Sequence, residues 1–245
     1  MPNIRFGEID FSGDGAFVWG AGQYSAPARS VDFIEVPGRN GDLLIDNGSY
    51  TNTKAVYRVV ITKNVAENVD RLKYLLYSQK GYQRLYDSDL KGFYRMACFC
   101  GGFDLTSIRG GVVYIEFECK PYKYDINGET PIVFDLTKED QLVVYNPYFE
   151  TAHPLIKLYG SAGSIYWNER ETQISDGGEG HIIIDTDALD AYSFSVQEDG
   201  NSKKVNRNKG VSDLDLYLEP GDTLIRFPQD TEWHTLEIVP RWVTI

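Results

Sequence analysis

The sequence predicts a mainly β protein in two units. The first is a β-sandwich-like unit with one α-helix and a projecting hairpin arm, and the second is a β-sandwich. Three observations carry this. Tyrosine and phenylalanine are abundant, 17 and 12 in 245 residues, and such rings pack well on pleated, half-buried faces. Short alternating apolar runs recur along the chain, separated by turn residues. The charge is uneven: residues 1–125 hold 15 basic and 15 acidic residues, whereas residues 126–245 hold 9 and 21, so the whole net charge of −12 lies in the second half. The length suits two units of about 100–130 residues. Pro121, Asn127-Gly128, Pro131 and Asn146-Pro147 interrupt the pattern between 121 and 152. The cut is expected near residue 130, giving units 1–130 and 131–245.

In the first unit, residues 55–62 read as a strand with Ala55, Tyr57, Val59 and Ile61 on one face. Residues 112–119 alternate more cleanly, with Val113, Ile115, Phe117 and Cys119 inward and Glu116 and Glu118 outward. Residues 93–99 read as a further strand. One helix is expected: Asn64 and Glu67 have capping-box spacing, and Val65, Val69, Leu72 and Leu76 form one stripe. Glu67, Asp70 and Lys80 suit the helix dipole, and Gly81 is the expected stop. Turn-rich Pro37-Gly38-Arg39-Asn40-Gly41-Asp42 and Asp46-Asn47-Gly48-Ser49 flank the apolar step Leu43-Leu44-Ile45. Two turns around a short apolar run predict a projecting hairpin whose exposed residues need a partner.

In the second unit, strands are expected at 155–159, 164–168, 181–185, 192–197, 214–218, 223–227 and 236–242. Turn signals such as Asp176-Gly177-Gly178 and Glu219-Pro220-Gly221-Asp222 separate them. Many short strands so punctuated predict a β-sandwich.

Few residue patterns suggest chemistry. No P-loop, dinucleotide fingerprint, zinc-protease or nucleophile-elbow motif occurs, so neither an enzyme nor a cofactor is expected. The cysteines Cys98, Cys100 and Cys119 lack zinc-site spacing and read as small core residues. Gly160-Ser161-Ala162-Gly163-Ser164 reads as a hairpin turn. Asp185, Asp187 and Asp190 could hold Ca²⁺, but a solvated strand end is the plainer reading. The basic stretch from Lys203 to Lys209 reads as a surface loop making ionic contacts with an acidic neighbour. Trp167 and Trp233 would stack on sugars if exposed and fill the core if buried. An acidic second unit does not seek nucleic-acid phosphate, and no apolar run is long enough to span a membrane. The first residues do not read as a signal peptide, so synthesis in a cytoplasm with reduced cysteines is expected.

The first 125 residues resemble the distal tail proteins of siphophages. The segment Arg29-Ser30-Val31-Asp32-Phe33-Ile34-Glu35-Val36-Pro37-Gly38-Arg39-Asn40-Gly41-Asp42 is similar to that family's V-P-G-R-x-G-x start. A strand, the Leu-ended helix, Tyr82-Gln83-Arg84-Leu85-Tyr86-Asp87-Ser88-Asp89 and the ending Phe117-Glu118-Cys119-Lys120-Pro121-Tyr122 follow in the family's order. Asn146-Pro147, Ala152-His153-Pro154-Leu155 and Leu218-Glu219-Pro220-Gly221-Asp222 resemble its galectin-like C-terminal domain in short form. The resemblance implies a structural virion protein at the tail tip and no catalysis. It implies a homo-oligomeric ring, usually a hexamer, around a DNA channel. The ring would join the tail tube protein to the tail-tip or tail-associated lysin hub protein, alongside the tape measure protein and a receptor-binding protein. The family's embracing arm corresponds here to the 38–48 stretch, with Arg39, Asn40, Leu43, Leu44 and Ile45 as the expected contacts. The alternative is a carbohydrate-binding adhesion module, with Trp167 or Trp233 as the glycan contact.

Overall fold

The computed structural model describes residues 3–11, 16–101, 104–107, 111–178, 180–197, 199–228 and 231–245. The chain divides into two compact units, Met1–Tyr124 with Ile245, and Asp125–Thr244. Pro121 breaks nothing: it lies inside one strand that runs from Val112 to Asp125, past the expected interruption.

The first unit contains β1 (Ile4–Phe6), β2 (Ile9–Asp10), β3 (Ala16–Val18), β4 (Gln23–Tyr24), β5 (Arg29–Ile34), β6 (Leu43–Tyr50) and β7 (Thr53–Ile61). Helix α1 (Val65–Ser78), β8 (Gln83–Asp87), β9 (Phe93–Cys98), β10 (Asp104–Ser107) and β11 (Val112–Asp125) follow. The main sheet runs β2-β1-β8-β9-β11-β7-β3, with β4 also on β7 and β10 also on β11. The alternation seen in the sequence holds: Ala55, Tyr57, Val59, Ile61, Val113, Ile115, Phe117 and Cys119 are all buried. Val69, Leu72 and Leu76 of α1 close this core together with Ile4, Phe6 and Leu85.

The helix ends differ from expectation. Asn64 adopts a left-handed conformation (φ 42°, ψ 52°), and its side chain makes no cap. The Asn68 amide instead ties the first turn back to the preceding chain, donating to the Lys63 carbonyl at 2.7 Å. A left-handed residue aims its side chain away from the first-turn N–H groups, so the capping-box spacing goes unused. The helix stops at Ser78 with Gln79 as its cap, so Lys80 lies beyond the last turn. Gly81 (φ +69°) instead turns the chain towards β8.

The second unit contains β12 (Ile132–Asp135), β13 (Gln141–Asn146), β14 (Leu155–Tyr159), β15 (Gly163–Trp167), β16 (Arg170–Ile174), β17 (His181–Asp185) and β18 (Asp190–Val196). Next come β19 (Ser202–Asn206), β20 (Gly221–Arg226) and β21 (Thr235–Val239), and a two-residue strand, β22 (Val243–Thr244), ends the unit. One sheet runs β12-β21-β14-β17-β18-β19 and the other β13-β20-β15-β16. Ile156, Leu158, Ile182, Ile184, Leu236 and Ile238 of the first meet Val144, Ile165, Trp167, Ile174 and Ile225 of the second in one core. Inward residues from two facing sheets make this a β-sandwich.

Three expectations change. Residues 160–162 are not a hairpin turn, because β14 and β15 belong to different sheets and the segment crosses between them. Residues 214–218 form no strand. Asp213 accepts from the Asp215 N–H at 3.0 Å, and only Leu218 makes a bridge, to Ala152. Local side-chain bonding of this kind competes with a ladder. The basic stretch is largely strand β19, at a sheet edge, with Lys204 2.7 Å from Asp190 and 3.8 Å from the Tyr192 ring centre. Its ionic contacts are therefore internal, and its lysines protect the edge from pairing.

Asp185 anchors the end of β17 by accepting from both terminal nitrogens of Arg241, at 2.6 and 3.2 Å. Burial pushes its carboxyl up, but the Arg241 bonds and charge and the N–H groups of Ala188 and Asp187 outweigh that and hold it below the ordinary value. A carboxyl so depressed stabilises the fold above its unfolded pKa, and that share fades as pH falls through the folded one. Asp185→Asn is expected to cost about 1–3 kcal/mol at neutral pH. The gap to wild type should begin to narrow near about pH 4 and shrink further as pH falls below it. Denaturant unfolding followed by tryptophan fluorescence reads this directly, since Trp167, Trp233 and Trp242 are buried in this unit. A gap that persists unchanged at pH 3 would contradict it.

Candidate assembly interface

Strands β5 and β6 form a two-stranded sheet of their own, outside both larger sheets of the chain and the main sheet of their unit. Phe33 pairs with Leu44, Ile34 with Leu43 and Asp32 with Ile45. Directly paired residues share a face, so Phe33 and Leu44 lie on one side and Ile34, Leu43 and Ile45 on the other. Every residue from 32 to 49 is exposed. The large side chains are bare on both faces, from Phe33 at 66% to Ile45 at 41% exposed. The hairpin expected around Leu43-Leu44-Ile45 is thus present.

Its construction differs from the expected pair of turns. The tip is the 35–42 connection. There Pro37 and Gly38 (φ +81°) occupy the centre of a turn closed by the Arg39 N–H on the Val36 carbonyl at 3.1 Å. Proline then glycine at the two central positions is the type II signature. Arg39 and Asn40 sit at this exposed tip. Asp46-Asn47-Gly48-Ser49, expected as a second turn, lies inside β6. The turn chemistry is absorbed by an irregular register between Arg29 and Val31, by Gly48 at φ +66°, and by the Gly48 N–H on Asp46 at 2.9 Å. A bulge uses the same residues as a turn. Asn47 crosses to Asp32 at 3.1 Å and Arg29 to Asp46 at 3.3 Å.

The arm is rooted firmly. The Thr51 N–H donates to the Ala28 carbonyl at 2.9 Å, and the Lys54 N–H to Ser25 Oγ at 3.1 Å. Just before the root, β4 sets Tyr24 against Ala55 of β7. The hydroxyls of Tyr24 and Tyr57 both donate to one oxygen of Asp87, Tyr57 at 2.9 Å. Asp87 is buried, and its other oxygen accepts from the Asp89 N–H at 2.8 Å. Burial pushes both tyrosine hydroxyls far up, with Asp87 raising them further, so they stay protonated and keep donating. Arg95 lies over the Tyr24 ring, 5.3 Å from its centre. No sequence pattern marked this node, because its members come from β4, β7, β8 and β9.

A second, partly exposed face lies on the same unit, on the outer side of β3, β7 and β11, with Trp19 and Tyr114 its exposed large side chains. Phe17 pairs with Val60, Val60 with Val112, and Arg58 with Tyr114. Trp19 is 56% exposed, 6.1 Å from the Phe17 ring and beside Arg58. Lys54 and Glu116, 2.6 Å apart, border the patch.

The tryptophans named for sugar stacking lie elsewhere. Trp167 and Trp233 are each 3% exposed within the sandwich core, and the Trp167 indole N–H donates to the Tyr217 carbonyl at 2.6 Å. Inward alternation on β15 puts Trp167 beside Ile165, so neither ring offers a face to a glycan. Cys98 and Cys100 depart from the core reading: Cys98 is half-buried and Cys100 exposed, while Cys119 is buried. His181 and His234, far apart in sequence, flank Tyr159 with ring centres 6.1 and 6.4 Å away. Among the described residues no three His, Cys, Asp or Glu side chains are grouped to hold a metal ion, and no helix is long and apolar enough to cross a membrane.

No family model and no curated protein matches this sequence. Solved structures do match its fold. The hub protein Dit (gp 19.1) of phage SPP1, described as a paradigm of the hub adsorption apparatus of phages infecting Gram-positive hosts, aligns over 100% of both chains with a TM-score of 0.68 at 13% identity. A chain of the phage P2 baseplate in its activated conformation with Ca aligns over 97% of both chains, TM-score 0.53 at 12% identity. The same baseplate with Sr gives 0.53 at 12%, over 97% of this chain and 98% of that one. The fold is Dit-like along its whole length.

The rooting node generates a prediction. Asp87→Ala leaves the buried Tyr57 hydroxyl without its carboxylate acceptor and with the half-buried Tyr24 hydroxyl, 3.3 Å away, as its partner. The expected cost is about 1–3 kcal/mol. Limited trypsin digestion should then cut faster after Arg29, at the arm's root, while cleavage after Arg39 at the tip changes little. Equal rates at Arg29 in variant and wild type would uncouple the node from the arm.

Proposed function

We propose that this chain is a siphophage distal tail protein, a structural hub that closes into a homo-oligomeric ring, a hexamer by the family's habit. The arm of each copy lies on the next. One observation carries the reading: a ribbon with large apolar side chains bare on both faces, in a chain whose fold is Dit-like from end to end. Bare apolar surface of this size marks a contact site. A ring needs a donor and a different acceptor surface on every copy. The arm is the donor, and the outer face around Trp19, Arg58 and Tyr114 is the acceptor. The near-neutral first half lets copies approach, while the acidic second half stays solvated and apart.

On this reading the ring joins the tail tube protein to the tail-tip or tail-associated lysin hub protein. The tape measure protein and DNA occupy or pass the central channel, and a receptor-binding protein attaches outside. A channel lined by the near-neutral first half carries no net positive charge to neutralise DNA phosphates, so DNA would slide without sticking. The protein works in the virion tail and catalyses nothing.

Light scattering after size exclusion, with negative-stain images of the same peak, tests the ring. Wild type should give a closed particle of about six copies. Leu44→Asp in the arm and Trp19→Asp in the acceptor should each lower the assembled mass. Each change removes roughly 2 kcal/mol of burial per junction, about thirtyfold in affinity. A mixture of the two variants should pair into dimers only, since one intact donor then meets one intact acceptor. Variants that assemble like wild type, or a wild type that stays monomeric at every concentration, would contradict the proposal.

A further inference from the structure

Cys98, Phe99 and Cys100 close β9 and lead out of it. Phe99 turns inward, 8% exposed, with its ring 6.1 Å from Phe117 and 5.2 Å from Tyr77. Tyr77 in turn donates to the Gly101 carbonyl at 3.3 Å. With Phe99 fixed inward, period-two alternation sends both neighbouring thiols to the opposite, solvent side. Their sulfurs lie 2.6 Å apart. In a regular strand, Cα atoms two residues apart sit about 6.6 Å from one another, at the upper end of the disulfide range. The ladder stops at Cys98, so the chain here is free to bring them closer.

We infer that Cys98 and Cys100 form a reversible dithiol–disulfide site that small-molecule disulfides in solution can oxidise. The roles of the two sulfurs differ. Cys100 is exposed and attacks first, as its thiolate, breaking the S–S bond of the small disulfide and releasing one small thiol. Cys98 then attacks the Cys100 sulfur of the mixed disulfide, forming the Cys98–Cys100 bond and expelling the second small thiol. Two protein thiols have lost two protons and two electrons, and the small disulfide has become two thiols. Burial, then the hydrogen bond with Cys100, pushes the Cys98 thiol up to about 11, so it is the poorer first attacker, and its second-step attack relies on its proximity to the Cys100 sulfur. Cys119 is fully buried and also pushed up to about 11, first by burial, so it takes no part. The site stands apart from the assembly reading and does not depend on it.

The test is intact mass and peptide mapping of the full chain after incubation with oxidised glutathione. Wild type should lose two hydrogens, carry the link within the 98–100 peptide, and regain both thiols with dithiothreitol. The neighbouring thiol acts at an effective concentration on the order of mM or higher. Closure should therefore outrun chain-to-chain disulfides at least tenfold at micromolar protein. Cys98→Ser should stop as a single glutathione adduct on Cys100, and Cys119→Ser should close as wild type does. The inference is overturned if wild type halts at the glutathione adduct, links through Cys119 or between chains, or stays fully reduced, whether or not Cys98→Ser takes up glutathione.

Discussion

A two-stranded ribbon on its own is marginal in water, and this one, a separate sheet among the described residues, bares Phe33 and Leu44 on one face and Ile34, Leu43 and Ile45 on the other. Its own hydrogen bonds and the Asn47–Asp32 and Arg29–Asp46 contacts fix its register. They do not hide its apolar surface. Leaving such a surface uncovered costs free energy in every copy. The arrangement makes sense when another surface covers the ribbon from both sides, which is why the arm decides how the molecule is read.

The arm would be of little use if it hung from a loose hinge. Its root lies between β4 and β7, beside a carboxylate buried with two tyrosine hydroxyls aimed at it. A buried charge fully engaged by donors is expensive to disturb. The node therefore joins the root to β8 and to the sheet that carries Trp19 and Tyr114 on its outer side. The sandwich unit solves a different problem. Its core is closed by residues from both sheets, and its exposed edge carries lysines, of which Lys204 pairs with Asp190 of its own chain. Its net negative charge discourages close approach of copies through this unit.

How much of this was legible in the sequence follows from what each element depends on. Strands such as 53–61 and 112–119 declare themselves because one face is wholly buried and period two is forced. Val69, Leu72 and Leu76 were readable for the same reason at helical period. The edge strand Ser202–Asn206 was not, because nothing there is buried and its lysines look like a loop. Arg170–Ile174 was missed because only Thr172 and Ile174 face inward. The arm was visible through Pro37-Gly38 and Leu43-Leu44-Ile45, but the Asp46-to-Ser49 turn signal marked a bulge instead. Trp167 and Trp233 carry no mark that separates core from surface until the sheets are paired. The Asp87 node and the Cys98–Cys100 pair depend on tertiary approach and on which way Phe99 points, neither of which composition or spacing encodes.

The most direct test of the central claim is amide hydrogen exchange of wild-type protein across a range of concentrations that spans assembly. The account predicts that residues 29–50 exchange quickly when the chain is dilute. They should become protected as the ring forms, together with the outer face of β3, β7 and β11, while the second unit is unchanged. An assembled particle in which residues 29–50 remain as open to exchange as in the dilute chain would contradict it.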